Sequence, residues 1–173
     1  QSRSLQHGGD FLSLSFDGGQ VVGAEVGVDG ETIAVRTRVA VNAAGPWVDH
    51  VRRLEDPRAG TSVRLSKGAH VLVPGGEDWT AALTVPQDDV RVTFAVPWYG
   101  LLLLGTTDSD FEGDPADVAV EEDDIVQVLA EAATALPSSM LGRGGVRAAF
   151  AGLRVLPLGD GATANARRET VFS

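Results

Sequence analysis

From Val90 to Pro115 the chain reads VRVTFAVPWYGLLLLGTTDSDFEGDP, the stretch that most narrows what it can fold into. Val90, Val92, Phe94 and Val96 alternate with Arg91, Thr93 and Ala95, the period-two pattern of a strand with one buried face. Pro97-Trp98-Tyr99-Gly100 supplies a turn, because Pro fixes φ and Gly permits a positive one. Leu101 to Leu104 is apolar without alternation, which predicts a strand covered on both faces near the middle of a sheet. Gly105-Thr106-Thr107-Asp108 then closes the run with small and polar groups. Such a hairpin is either a plain core element with a polar loop or the frame that carries hydroxyls and a carboxylate to a site.

The preceding chain points the same way. Residues 11–42 read as three consecutive strands, with turns at Asp17-Gly18-Gly19 and Asp29-Gly30. The third strand, Thr32 to Val41, runs into Asn42-Ala43-Ala44-Gly45-Pro46-Trp47. Small residues let a backbone approach something flat or bulky, and Pro46 suits the first turn of a helix. Trp47, Val51 and Leu54 share one face of that helix, while Asp49, His50, Arg52 and Arg53 lie elsewhere. By itself this is only a strand-to-helix connection.

Val63 to Pro74, VRLSKGAHVLVP, is another strand, in which Lys67 and His70 flank two small residues that would leave the imidazole accessible. Glu121-Glu122-Asp123-Asp124 opens a helix whose apolar face is Ile125, Val128, Leu129, Ala132, Ala133 and Leu136, and Pro137 stops it. The four acids read as helix electrostatics and not as a metal site. Val146 to Leu156 is a strand with Arg154 inside an apolar run. A guanidinium in such a place is costly unless it meets an anion, so Arg154 is the residue expected to bind substrate or an internal carboxylate. Arg167 and Arg168 open a last strand.

Composition excludes several classes. The formal net charge is −10, from 24 acidic against 14 basic residues, which argues against nucleic acid or an anionic membrane as partner. There is no cysteine, so disulfides and thiolate metal sites are out and a reducing compartment fits. No segment approaches the roughly 18 apolar residues of a spanning helix, and no signal peptide is visible. The chain starts with Gln1, and its only methionine is Met140. It is therefore expected to be a piece of a longer protein.

Four strings, VAVNAAGPWVDHV, RLSKGAHVLVP, VPWYGLLLLGTTDSDFEGDP, and FAGLRVLP followed by ARRETVF, resemble one family in order and spacing. That family is the FAD-dependent glycerol-3-phosphate dehydrogenases, within the D-amino-acid-oxidase-like flavoproteins. The resemblance implies an α+β chain: a β-meander from a split FAD-binding domain over residues 1–45, then a truncated substrate-binding domain over residues 46–173. The latter would be mostly antiparallel sheet with one or two packed helices. It also implies that the family's Gly-rich dinucleotide fingerprint, a later Gly-rich segment with a lysine, and a helical C-terminal region lie outside this stretch. By itself the chain is then expected to be catalytically silent and to hold no FAD.

In the full enzyme the implied reaction is oxidation of sn-glycerol 3-phosphate to dihydroxyacetone phosphate, with hydride passing to FAD and on to a quinone or other electron acceptor. His70 corresponds to the family's active-site histidine. Arg154 and Arg168 correspond to its substrate-facing arginines, Arg154 also in a catalytic role; Arg167 remains the alternative to Arg168. Ala43, Ala44 and Gly45 correspond to the edge that approaches the flavin. Thr106, Thr107 and Asp108 shape the hairpin end, with Asp108 able to fix an arginine. No metal is implied. The location would be cytoplasmic, with peripheral attachment to the cytoplasmic face of a membrane left open. Two other readings compete: a related flavin amine or hydroxyacid oxidase, and a non-catalytic β-rich binding module.

Overall fold

A computed structural model describes residues 9–75, 79–88 and 91–158. It is mostly antiparallel sheet with two α-helices, the expected α+β class. The chain divides into two compact units, Gln1–Thr61 and Ser62–Ser173. Among the described residues, no helix is long and apolar enough to cross a membrane.

In the first unit, β1 (Asp10–Asp17), β2 (Gln20–Val28) and β3 (Glu31–Arg36) form an antiparallel meander. Both expected hairpin turns form. Asp29 (φ 52°) and Gly30 (φ 82°) are both left-handed, the pairing that matches the twist of the flanking strands. The third strand is shorter than its composition suggests, ending at Arg36 and not at Val41. The Thr37 hydroxyl donates to the Val39 carbonyl at 2.7 Å and accepts from the Val39 N–H at 3.3 Å. That local bonding replaces the ladder and leaves Val39 and Val41 exposed.

A 3₁₀ turn at Gly45–Trp47 leads into α1 (Val48–Glu55). The expected apolar stripe is not its buried face: Trp47 and Leu54 are exposed, whereas Asp49 is buried. Asp49 sits in the first turn, where negative charge is favoured, and pairs with Arg52 at 2.9 Å.

Among the described residues the second unit holds a six-stranded sheet built on β4 (Val63–Pro74). Four further strands, β5 (Leu83–Pro86), β6 (Val92–Trp98), β7 (Leu101–Gly105) and β8 (Ser109–Phe111), follow in the chain. The final strand is β9 (Ala148–Pro157). One edge of β4 is shared by β7, opposite His70–Pro74, and β8, opposite Leu65–Lys67. The other edge pairs with β9 over residues 63–72.

The long hairpin forms with its turn displaced. Pro97 and Trp98 belong to β6, opposite Leu102 and Leu101, and the loop is Tyr99-Gly100, with φ of 48° and 77°. A two-residue loop with both centres left-handed suits the strand twist better than a turn begun by proline.

The helix α2 (Glu122–Ala132) covers one face of this sheet. Beneath it Val71, Val73, Ala95, Leu102 and Leu104 meet Ile125, Val128, Leu129 and Ala132 to form the core. Leu101 and Leu103 are only half-buried. Among the described residues the run Leu101–Leu104 is therefore covered on one face, not two, because a helix packs on that face alone. Two details of α2 differ from expectation. It ends at Ala132, well before Pro137, and Ala133 is exposed. The turns that follow still return Leu136 to the core, its N–H bonded to the Ala132 carbonyl at 2.9 Å.

Candidate active site

Strand parity decides what meets what on the face of the sheet away from α2. Side chains two apart share a face, so Ser66, Gly68 and His70 of β4 point one way, and Lys67, Ala69 and Val71 the other. Directly opposite on β9 stand Arg154, Gly152 and Phe150. His70 and Arg154 are thus brought to one face of one sheet, separated by the Gly68–Gly152 pair.

The edge of β4 opposite β9 is interrupted there. Between Gly105 and Ser109 the chain leaves the ladder. The Thr107 hydroxyl instead takes the Ala69 N–H at 2.9 Å. This break turns Thr106, the Thr107 carbonyl and Asp108 toward the arginine. Arg154 Nη2 donates to Thr106 Oγ1 at 2.9 Å and to the Thr107 carbonyl at 3.2 Å. Arg154 Nη1 donates to Ser66 Oγ at 3.3 Å and lies 3.8 Å from Asp108 Oδ1. Ser66 in turn donates a short hydrogen bond to Asp108. The guanidinium lies across Gly68: a Cβ there would fall 2.4 Å from Nη2 and 2.7 Å from both Cζ and Nη1. The cation is therefore held by an internal carboxylate and three oxygens, with its side chain still 27% exposed.

His70 stacks on Phe150, ring centres 5.2 Å apart and planes 14° from parallel. Gly105, paired with it across the ladder, leaves room for the ring, since a Cβ there would lie 2.6 Å from His70 Cδ2. Burial, and secondarily the Arg154 charge, lower the His70 pKa below 6.5. The imidazole is then neutral near neutral pH and able to accept a proton. A neutral base beside a fixed guanidinium fork suits a substrate with both an ionisable hydroxyl and an anionic group.

Lys67 belongs to the opposite face. Its Nζ meets Glu121 Oε2 at 2.6 Å and Asp124 Oδ2 at 2.9 Å. Burial opposes its charge, but the hydrogen bonds to the two carboxylates outweigh that and leave its pKa raised. The acidic run is helix electrostatics, as Glu121 and Asp124 form a capping box, and it also clips β4 to α2. The spacing of Glu121 and Asp124 was the available signal for that second role.

In the first unit, Ala43, Ala44 and Gly45 form a small-residue edge held by Asn42. The Asn42 Oδ1 accepts from the Ala44 N–H at 3.2 Å, and Nδ2 donates to the Val48 carbonyl at 2.9 Å. Ala43 is exposed, and a Cβ on Gly45 (φ 54°) would meet none of the described residues within 4 Å. A pinned, partly exposed edge of small residues fits the close approach of a flat ring system. Arg168 and its neighbour Arg167 lie outside the described residues. Ser66, Gly68, Phe150 and Gly152 were not singled out from sequence, although alternation from His70 and Arg154 points to them. Among the described residues no group of His, Asp and Glu could hold a metal ion.

The profile of the family described as FAD dependent oxidoreductase matches residues 6–170. The chain is 34% identical over 132 residues to a glycerol-3-phosphate dehydrogenase of Pseudomonas aeruginosa, covering 74% of this chain and 25% of that protein. It is 36% identical over 159 residues to a D-erythritol 1-phosphate dehydrogenase of Brucella abortus, covering 90% of this chain and 32% of that one. The crystal structure of a Bacillus halodurans glycerol-3-phosphate dehydrogenase complexed with FAD superposes with a TM-score of 0.75 at 33% identity. The match covers 86% of this chain and 31% of that protein. The chain thus spans a quarter to a third of the length of these relatives. These names favour neither a flavin amine or hydroxyacid oxidase nor a non-catalytic module.

Proposed function

We propose, because this chain belongs to the FAD dependent oxidoreductase family, that it supplies the substrate-facing sheet of an enzyme oxidising sn-glycerol 3-phosphate to dihydroxyacetone phosphate. The observation that carries the reading is the pairing of a neutral imidazole with a pre-held guanidinium on one open sheet face. Oxidising a secondary alcohol requires the hydroxyl proton to be removed as the carbon-bound hydrogen departs with its electron pair. His70 takes that proton. Arg154, with Arg168 as its partner, binds the oxygens of the phosphorylated substrate and orients the hydroxyl. FAD, when bound, supplies the two-electron acceptor. Ala43, Ala44 and Gly45 line its approach.

In this assignment, residues 1–45 complete the FAD-binding domain and residues 46–173 the substrate-binding domain. The electrons leave to a quinone or other acceptor. We place the enzyme on the cytoplasmic side, where a chain without cysteine has no need of disulfides, with peripheral attachment to the membrane as the route to a quinone.

Arg154→Ala in the flavin-loaded enzyme tests the reading. Loss of a charge-assisted contact of a few kcal/mol should lower kcat/KM for glycerol 3-phosphate by about 100-fold or more. Unchanged kinetics would reject the role.

A further inference from the structure

Two glycines face each other in the middle of the candidate site, and their surroundings differ. The space a side chain would take at Gly68 is filled by the Arg154 guanidinium, so glycine is required there by the fold. At Gly152 a Cβ would meet no atom of the described residues within 4 Å, and the backbone is not left-handed. No described neighbour requires glycine at that position, and a glycine inside a strand weakens it. The empty space lies on the face shared by His70, Phe150 and Arg154. Phe150 stands two residues along the strand from Gly152, about 7 Å by the rise of extended backbone. The guanidinium lies over Gly68, directly across from Gly152, so the space above Gly152 is bordered by the stacked rings along the strand and by the guanidinium across it.

We infer that Gly152 is the size-determining position of the site: its missing side chain is the floor on which the carbon chain of a small linear polyol monophosphate lies. This deepens the glycerol 3-phosphate reading and rests on it. A hydroxyl presented to His70 and oxygens held by Arg154 place the intervening carbons over Gly152. Each added carbon on that residue then raises the floor and excludes longer chains first.

The test uses the flavin-loaded enzyme carrying Gly152→Ala or Gly152→Val, with sn-glycerol 3-phosphate and a four-carbon polyol phosphate as probes. One added methyl should raise KM for glycerol 3-phosphate by about 10-fold and valine by about 100-fold, the range that a single surplus carbon produces in a fitted pocket. The four-carbon probe should lose more than the three-carbon one. Flavin content and competitive inhibition by inorganic phosphate, which reports Arg154, should stay at their unaltered values, and the thermal midpoint should hold or rise. Wild-type kinetics in Gly152→Val would overturn the inference, as would an equal loss with both probes alongside a falling thermal midpoint. If the unaltered enzyme oxidises no glycerol 3-phosphate, the substrate reading falls and takes this inference with it. If it does and valine changes nothing, this inference alone falls.

Discussion

Replacing Gly68 with alanine should disable Arg154 without touching it. The new methyl would sit 2.4 Å from Nη2 and 2.7 Å from Cζ and Nη1, inside any acceptable contact. The backbone at Gly68 cannot yield, because β4 is paired along both edges. The far end of the arginine can, and a shift of about 1 Å restores van der Waals distance. That shift stretches the contacts now at 2.9, 3.2 and 3.3 Å beyond hydrogen-bonding range. Hydrogen bonds to a charged group contribute about 1.5–3 kcal/mol each. With the side chain 27% exposed, water replaces much of that, so the net loss of stability should be about 2 kcal/mol. The functional loss should be larger in proportion. A guanidinium no longer aimed by Ser66, Thr106 and Thr107 should lower kcat/KM about 100-fold, approaching Arg154→Ala. Thermal denaturation and steady-state kinetics of the flavin-loaded enzyme carrying Gly68→Ala, Arg154→Ala or both form the assay. In the Arg154→Ala background the alanine at 68 should cost almost nothing, since it acts through the missing group. Additive losses in the double variant, or wild-type kinetics in Gly68→Ala, would refute the reasoning.

Lys67→Met should destabilise the protein by about 3 kcal/mol in a urea titration, because Asp124 is then left buried without its cation. Adding Asp124→Asn should recover part of that loss. His70 carries a pH signature. Its folded pKa lies below 6.5, so the unfolded chain binds the proton more readily in the window between the two values. Its contribution to stability is present above 6.5 and lost as pH falls through the folded value. The difference in melting temperature between wild type and His70→Gln should therefore be flat above 6.5 and shift against wild type below it; a difference independent of pH would reject the assignment.

Most of the elements were legible because they rest on neighbours in the chain. Asp29-Gly30 turns wherever it stands between alternating runs. The apolar spacing from Ile125 to Ala132 makes a helix whatever it packs on. Arg154 announced itself through cost alone, a guanidinium in an apolar run that needs partners. His70 was legible chiefly through the family resemblance of the segment around it, since a single histidine between small residues has no distinctive period.

What escaped the sequence depends on distant contacts. That Leu101 and Leu103 stay half-buried follows from α2 covering only one face, which no pattern within the hairpin records. The early end of β3 is a contest between a ladder bond and the Thr37 hydroxyl, won locally by a side chain whose propensity favours strand. Lys67 and His70, three residues apart, look like companions in the sequence. An odd separation on an extended strand sends them to opposite faces, one to a pair of carboxylates under a helix and the other to an arginine more than eighty residues away. Periodicity settled which segments became strands and helices, since it is a property of adjacent residues. Only the assembled sheet decided which side chains share a face, because that is set by register between strands far apart in the chain.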